Sequence, residues 1–414
     1  MTAAAPGSSA GAGGEKRLIA ALLLPSIPLY ACFGGMQQIL QPAQIEAIDP
    51  ASKIAHLALL TAASSVTAVL GLVAGGTISD RTQSRWGRRN PWIVVMALMA
   101  AGLILLAGRG APIAVLIGVY CAMWLCLNFH QAAMTAVLPD RVSPSHRALA
   151  SSAIGLATPL GILLGVNLAG RLAPGLAFPA LAGLLVVGST GFALAAPEPA
   201  AANDPHPRPP GATRAGGGLF AAFRHRDFTF AFVSRAMLFL AYFSVNGYLL
   251  YAVKDRIALA DLPGRNAGVA VSILGSISMI AWIAGVPFAG WLADRFNRRK
   301  RVVSIAAIGM ALAMIPPIVS PSWPALTAFA ALDGLFFGIY LAVDLALMSL
   351  VLPDRRTQGR DMAILNVASA GSQIFAPLLA GGLIATLGYT AMFAATAALA
   401  LGGGLFVLAI RGVR

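Results

Sequence analysis

Long apolar runs alternate with short polar breaks along this chain, most plainly at residues 91–108, 112–138 and 301–319. Each run is long enough to cross a hydrocarbon core of about 30 Å as a helix. Segmentation on this pattern predicts twelve helices, at 17–45, 54–79, 91–108, 112–138, 148–170, 175–195, 227–253, 267–292, 301–319, 323–351, 360–386 and 389–411. Residues 197–226 carry six prolines and several glycines, which oppose any regular element, so they are expected to form a linker. The expected organisation is a disordered tail at 1–16, a six-helix bundle at 17–196, the linker, and a second six-helix bundle at 227–414. The fold class is therefore an all-α integral membrane protein.

Composition agrees with this reading. The chain has 414 residues, 58% of them hydrophobic and 11% charged, against about 25% charged in an ordinary soluble domain. Lys16 and Arg17 before the first run look like the opening of a signal peptide. That run is too long, however, and no cleavage site follows, so it is taken as a retained first span. Cys32, Cys121 and Cys126 all fall inside apolar segments, where small buried thiols are expected and a disulfide framework is not.

The net charge of +14 changes the picture through its placement. The basic residues cluster at alternate breaks rather than along one groove, which excludes nucleic acid as the partner and points to the lipid bilayer. With the N-terminus inside, 22 of the 29 Lys and Arg fall on the cytoplasmic side, six fall outside, and Arg235 lies within a span. The positive-inside rule then places both termini in the cytoplasm and the chain in the cell membrane as a multi-pass protein.

The two halves repeat. "SDR" at 79–81 returns as "ADR" at 293–295, and "VLPDR" at 137–141 returns at 351–355, both at an offset of 214 residues. A repeat of six helices gives both copies the same orientation, as for parallel repeats about an axis along the membrane normal. The stretch "GGTISDRTQSRWGRRNP" at 75–91, echoed by "AGWLADRFNRRK" at 289–300, resembles the signature loop of the major facilitator superfamily. Within it, "SDRTQSRWGRRNPW" is most similar to the glycoside–pentoside–hexuronide cation symporters and plant-type sucrose carriers. The resemblance covers nearly the whole chain. It implies the major facilitator fold, transport by alternating access, and a central cavity lined by helices 1, 4, 7 and 10.

In the signature loop, Gly71, Gly75 and Gly76 form a small-residue patch that lets helix 2 approach a neighbour. Asp80 at the helix end can accept hydrogen bonds from the N-terminus of an adjacent helix. Arg81, Arg85, Arg88 and Arg89 can add charge-assisted bonds. Together with Asp294 and Arg295 of the second copy, Gly76, Asp80, Arg81 and Arg88 are expected to form a conformational clasp that closes when the halves meet at the cytoplasmic side.

Function should lie where costly polar groups are tolerated inside spans. Asp333, Phe337, Tyr340 and Asp344 share one face of helix 10, and Arg235, Phe239, Tyr242 and Asn246 share one face of helix 7. Helix 1 carries Tyr30, Gln37, Gln41 and Gln44 in a stripe, helix 4 carries Trp124 and Asn128, and helix 11 carries Asn366, Ala370 and Gln373. The expected substrate-binding set is Gln37, Gln41, Trp124, Asn128, Tyr242, Asn246, Asp333, Tyr340, Asn366 and Gln373. Amides in hydrocarbon are costly unless satisfied, and amides with aromatic faces suit a polyhydroxylated or mixed polar–aromatic solute. Asp344, His130 and Arg235 all lie roughly 12–14 Å inside their cytoplasmic helix ends. They are therefore the expected coupling group, with Arg235 paired to Asp344 and a proton carried by Asp344 or His130.

The second helix has no carboxylate before Asp80, unlike sodium-coupled melibiose-type carriers, so a proton gradient is expected rather than sodium, and no bound cofactor. Thr158-Pro159 in helix 5 resembles the Gly-Pro motif of drug/proton antiporters, which keeps export of an amphipathic metabolite open beside sugar-like symport. The chain contains no HExxH, no GxSxG and no phosphate loop, and its cytoplasmic loops are too short for a nucleotide-binding domain. Neither an enzyme nor an ATP-driven pump is expected. An uncoupled facilitator, or a receptor with the carrier fold, remains as an alternative. The expected assembly is a monomer with a small-molecule substrate.

Overall fold

In the computed structural model, residues 12–198, 221–296, 299–351 and 358–410 are described. Most of the expected tail and linker therefore lies outside the described residues, as do Asp354 of the second "VLPDR" and the side chain of Asp294.

The chain is helical almost throughout. The first span, α1, covers Gly14–Ile48, and it is followed by α2 (Lys53–Arg81), α3 (Asn90–Gly108), α4 (Ile113–Arg141), α5 (Arg147–Arg171) and α6 (Pro174–Ala195). The second half contains α7 (Arg226–Arg256), α8 (Ala267–Phe296), α9 (Arg299–Ala313, continued by Ile315–Val319) and α10 (Trp323–Leu350). The last stretch, Gln358–Leu408, is broken at Gly388, whose φ of 82° is unsuited to a helix, and so forms α11 (358–387) and α12 (389–408). Eleven long apolar helices by composition thus become twelve crossings. Leucines and valines on the outer surface, such as Leu194, Val187 and Leu405, stand exposed. Helices that satisfy their own backbone and turn apolar side chains outward are built for lipid as solvent.

Helical structure begins at Ala12, within the stretch expected to be tail. The reason is local. Glu15 accepts hydrogen bonds from Ser143 Oγ at 2.8 Å and from His146 Nδ1 at 2.6 Å, which ties the start of α1 to the loop after α4. Inside α1, Met36–Leu40 form a π turn. The wider turn changes which residues share a face beyond it.

Within the first half α2 packs on α4 and α1 on α5; within the second, α8 packs on α10 and α7 on α11. The halves meet through α5 against α8 and α2 against α11. One end of the molecule carries residues 12 and 410 and the arginine-bearing 82–89 loop, and it is called here the arginine-rich face. Several hydrogen bonds and ion pairs join the halves between mid-membrane and the opposite face. Ser65 Oγ donates to the Gln373 carbonyl at 3.1 Å midway along α2. Further out, Asn167 Nδ2 donates to Ser276 Oγ at 2.8 Å, and Tyr251 OH donates to the Pro42 carbonyl at 2.8 Å. At the opposite face, Lys53 Nζ lies 2.9 Å from Glu46 Oε1 and 2.6 Å from Asp255 Oδ1, and Lys254 Nζ lies 2.5 Å from Glu46 Oε2. Tyr389 OH of α12 donates to the other Asp255 oxygen at 2.5 Å.

Candidate transport cavity and gating network

Between the halves lies a cavity of about 610 Å³ with two unlike walls. The first-half wall is polar. Gln37, Gln38 and Gln41 reach it from α1, Thr61, Ser64 and Ser65 from α2, Trp124, Asn128 and Gln131 from α4, and Thr158 from α5. The second-half wall is mainly aromatic, with Phe239, Tyr242 and Phe243 from α7, Trp282 from α8 and Phe337 from α10. Asn246 and Gln373 add amides to that side.

Gln37, Gln38 and Gln41 share one face by helical spacing and all reach the wall. Gln44, expected on the same stripe, is turned away instead. Its Nε2 donates to the Ala107 carbonyl at 2.6 Å, and its Oε1 accepts from Tyr120 OH at 2.9 Å. Gln41 is held by Thr61 Oγ1 at 3.2 Å and by the Trp124 indole N–H at 3.4 Å. Asn128 and Asn246 each donate to a carbonyl one turn back, at 2.9 and 3.0 Å, which leaves their amide oxygens for a ligand. The hydroxyls of α2 gave little sequence signal, because a Ser or Thr in a helix can bond its own preceding turn, as Ser65 Oγ does to the Thr61 carbonyl at 2.8 Å.

On the aromatic side Tyr242 lies flat on Phe337, with centroids 3.7 Å apart and planes 5° apart. Arg235 lines the cavity one turn of α7 before Phe239, and its guanidinium carbon sits 5.5 Å over that ring. Arg235 Nη1 lies 3.3 Å from Asp344 Oδ2, and Nη2 donates to Asn366 Oδ1 at 3.2 Å. The structure thus brings Arg235, Asp344 and Asn366 together, although only Arg235 of the three reaches the cavity.

Several expected positions differ. Asp333, Tyr340 and Asn366, read as substrate ligands, are not on the cavity wall. Asp333 and Tyr340 are buried one layer behind it, because the stripe of α10 that carries them faces α7 and only Phe337 and Leu341 of that helix reach the cavity. His130, read as a proton carrier, is fully buried and points toward α6, where its Nε2 lies 2.9 Å from Ser189 Oγ. The cavity face of α4 is Trp124, Asn128 and Gln131, at spacings of four and three, and His130 falls outside that stripe.

The signature loop also differs in detail. Among the described residues, the partner of Asp80 is a side chain and not a helix N-terminus. Asp80 pairs with Arg89 Nη2, and the same guanidinium reaches Asp140 Oδ2 at 2.9–3.0 Å and donates to Ser79 Oγ. The α3 N-terminus is taken by Glu198, which accepts from the Arg89 and Asn90 backbone N–H groups at 2.8 and 3.1 Å. Gly87 has a φ of 90°, and a Cβ there would meet the Glu198 side chain, so this turn requires glycine. Gly71 and Gly75 lie against the backbone of α4, whereas Gly76 faces open space and takes no part in the close packing. Arg81 and Arg295 are exposed. Through Asp80, Arg89, Asp140 and Glu198 this network binds the ends of α2, α3 and α4 to one another.

Comparison with known proteins gives three findings. Residues 20–263 and 262–414 match the Major Facilitator Superfamily. The "Multidrug resistance protein B homolog" of Mycobacterium tuberculosis, in strains CDC 1551 / Oshkosh and ATCC 25618 / H37Rv, is 28% identical over 142 residues; that is 34% of this chain and 26% of the relative, so the match spans about a quarter of the relative's length. Among solved structures, a bacterial homologue of the human lysosomal transporter Spinster, crystallised in an inward-facing and unoccupied conformation, superposes with a TM-score of 0.66. The superposition covers 96% of this chain and 94% of that one at 14% identity, and this likeness is one of fold.

Proposed function

The chain belongs to the Major Facilitator Superfamily, and from that premise we propose that it is a proton-coupled symporter moving a small, ring-bearing polar solute, sugar- or glycoside-like, across the cell membrane. Its arginine-rich face is cytoplasmic under the positive-inside rule. Ion pairs that join the halves at the outer end fit a carrier closed toward the outside. Two unlike walls suit a sugar-like ring: aromatic faces take its C–H side, and amides and hydroxyls take its oxygens.

The observation that carries the coupling is the buried Arg235–Asp344 pair on the rim of this cavity. An ion pair taken out of water is costly unless its geometry is excellent, so a slack one in a transport path is better suited to exchanging partners than to stability. Asp344 is the proton carrier in this reading, with Arg235 as its counter-charge. The resemblance of the signature loop to glycoside and sucrose carriers supports the substrate class.

The test uses the full chain in proteoliposomes with a pH-sensitive dye inside and phenyl glucosides outside. Asp344→Asn is expected to abolish gradient-driven accumulation while leaving solute exchange across the membrane. Accumulation at the wild-type level in that variant overturns the coupling role.

A second reading is proton-coupled export of an amphipathic compound. It is favoured by the partial match to the multidrug resistance relative and by Thr158 on the cavity wall beside Pro159. In that case proton flux runs opposite to the solute in the same assay.

A further inference from the structure

We propose that Asn366 is the positioning residue of the coupling pair: its side-chain oxygen holds the Arg235 guanidinium beside Asp344 without letting the two lock together, and so keeps Asp344 able to exchange a proton. This rests on the carrier reading above and deepens it.

The helices bring Asn366 and Arg235 to one level. Asn366 lies eight residues into α11 and Arg235 nine into α7, both counted from the arginine-rich face, which is about 12–14 Å at 1.5 Å per residue. Asn366, Ala370 and Gln373 share a face of α11, and Gln373 lines the cavity. Arg235 and Asp344 are 8% and 2% exposed, whereas Asn366 is exposed. The amide therefore reaches a buried pair from the open side of α11.

An arginine can offer a carboxylate two parallel bonds along either of two edges, Nε with Nη2 or Nη1 with Nη2, so Nη2 belongs to both. Here Nη2 donates to Asn366 Oδ1 at 3.2 Å. Asp344 is met by Nη1 alone, 3.3 Å from Oδ2 and outside hydrogen-bonding geometry. Nε, Nη1 and Asp344 Oδ1 are buried without a hydrogen-bond partner. Phe239 covers one face of the guanidinium, with its ring centre 5.5 Å from the central carbon. An Arg–Asp pair with nothing competing for Nη2 closes into the two-bond fork. Asn366 is the group that holds this one off.

Among the described residues, the charged or titratable groups acting on Asp344 are Arg235 from α7 and Tyr340 from its own helix; α8 and α9, which pack on α10, add none. A carboxylate bonded into the fork is a poor proton acceptor. One with a cation only at its side, and a bare buried oxygen, takes a proton more readily. Asp344 gains that proton as one O–H bond and returns it to water, and no other covalent bond changes. Removing the amide lets the guanidinium turn onto Asp344. Replacing it with a carboxylate draws the guanidinium away and sets a second negative charge nearby.

Infrared spectroscopy on the purified full chain reads the protonated Asp344 carboxyl as the band lost in Asp344→Asn, and it needs no solute. Asn366→Ala is expected to move the titration midpoint of that band about one pH unit or more toward acid, and Asn366→Asp to move it by a similar amount toward alkali. Asn366→Gln, which keeps the amide, is expected to stay nearest the wild type. Unchanged midpoints, or shifts in the same direction for the Ala and Asp variants, overturn the positioning role and leave the carrier reading standing. A wild type whose Asp344 carboxyl does not titrate overturns both. Opposite shifts as expected, without proton-driven accumulation of phenyl glucoside in proteoliposomes, support the positioning role and overturn the proposed glycoside symport.

Discussion

Arg89 shows how one buried side chain can hold three helix ends. Its guanidinium is almost wholly buried and serves Asp80, Asp140 and Ser79, while its backbone N–H is taken by Glu198. Asp140 is largely buried too, whereas Asp80 is 64% exposed. Arg89→Gln removes the buried cation shared by Asp80, Asp140 and Ser79, and it is expected to cost about 1–3 kcal/mol. Asp80→Asn removes a solvent-facing partner and is expected to cost about 0–1 kcal/mol. Thermal unfolding in detergent ranks the two, and equal losses would contradict this division. At this scale the sequence was informative where depth was the signal: Arg235 and Asp344 stand at matched depths, and the structure pairs them. It was uninformative where rotation decided. His130 occupies the position of Asp344 one repeat earlier, yet lies on a different face of its helix and meets Ser189.

Among elements, the α2–α4 contact shows what glycine does in a membrane bundle. A Cβ on Gly71 would come within 2.2 Å of the Leu125 carbonyl oxygen, whereas one on Gly76 meets nothing within 4 Å. Close helix approach is gained through such small residues. Gly71→Ala is expected to destabilise by about 1–3 kcal/mol through overpacking, and Gly76→Ala to be neutral or stabilising by about 0.5–1 kcal/mol. Apparent melting temperatures of the two variants check the contrast, and a loss at position 76 would contradict it. Helix positions were legible to within a few residues, because hydropathy sets them. The π turn in α1 was not, since Met36–Leu40 carry no residue that marks a widened turn. The α3 cap was equally hidden, because Glu198 sits in sequence beside the proline-rich linker, far from the helix that it caps.

For the whole molecule, the seal at the face opposite the arginine-rich one, the outer face in the proposed orientation, is the feature with the widest effect. Glu46 and Lys53 from the first half interlock with Lys254 and Asp255 from the second, and Lys53 also lies over the Tyr251 ring at 4.9 Å. None of these charges stood out in the sequence, because charged residues at span ends are ordinary; the repeat and the positive-inside count revealed the halves but not what joins them. Lys53→Met breaks the pair to Asp255 across the halves and the Glu46 pair within the first half that braces it. A loss of about 1 kcal/mol from such partly exposed contacts raises the outward-open population about fivefold. With Cys32, Cys121 and Cys126 replaced, a cysteine at Ser65 is expected to react correspondingly faster with a membrane-impermeant thiol reagent added outside. An unchanged rate would show that the seal does not set the balance.

Because that seal is ionic and its side chains are 14–38% exposed, the medium bathing that face, the cell exterior in the proposed orientation, acts on it directly. At physiological ionic strength the Debye length is about 8 Å, so contacts already made persist while the attraction that draws the separated ends together fades. Salt should therefore slow re-closure more than it hastens opening. Salinity, and not solute supply alone, would then govern how promptly each empty carrier returns to face the cytoplasm.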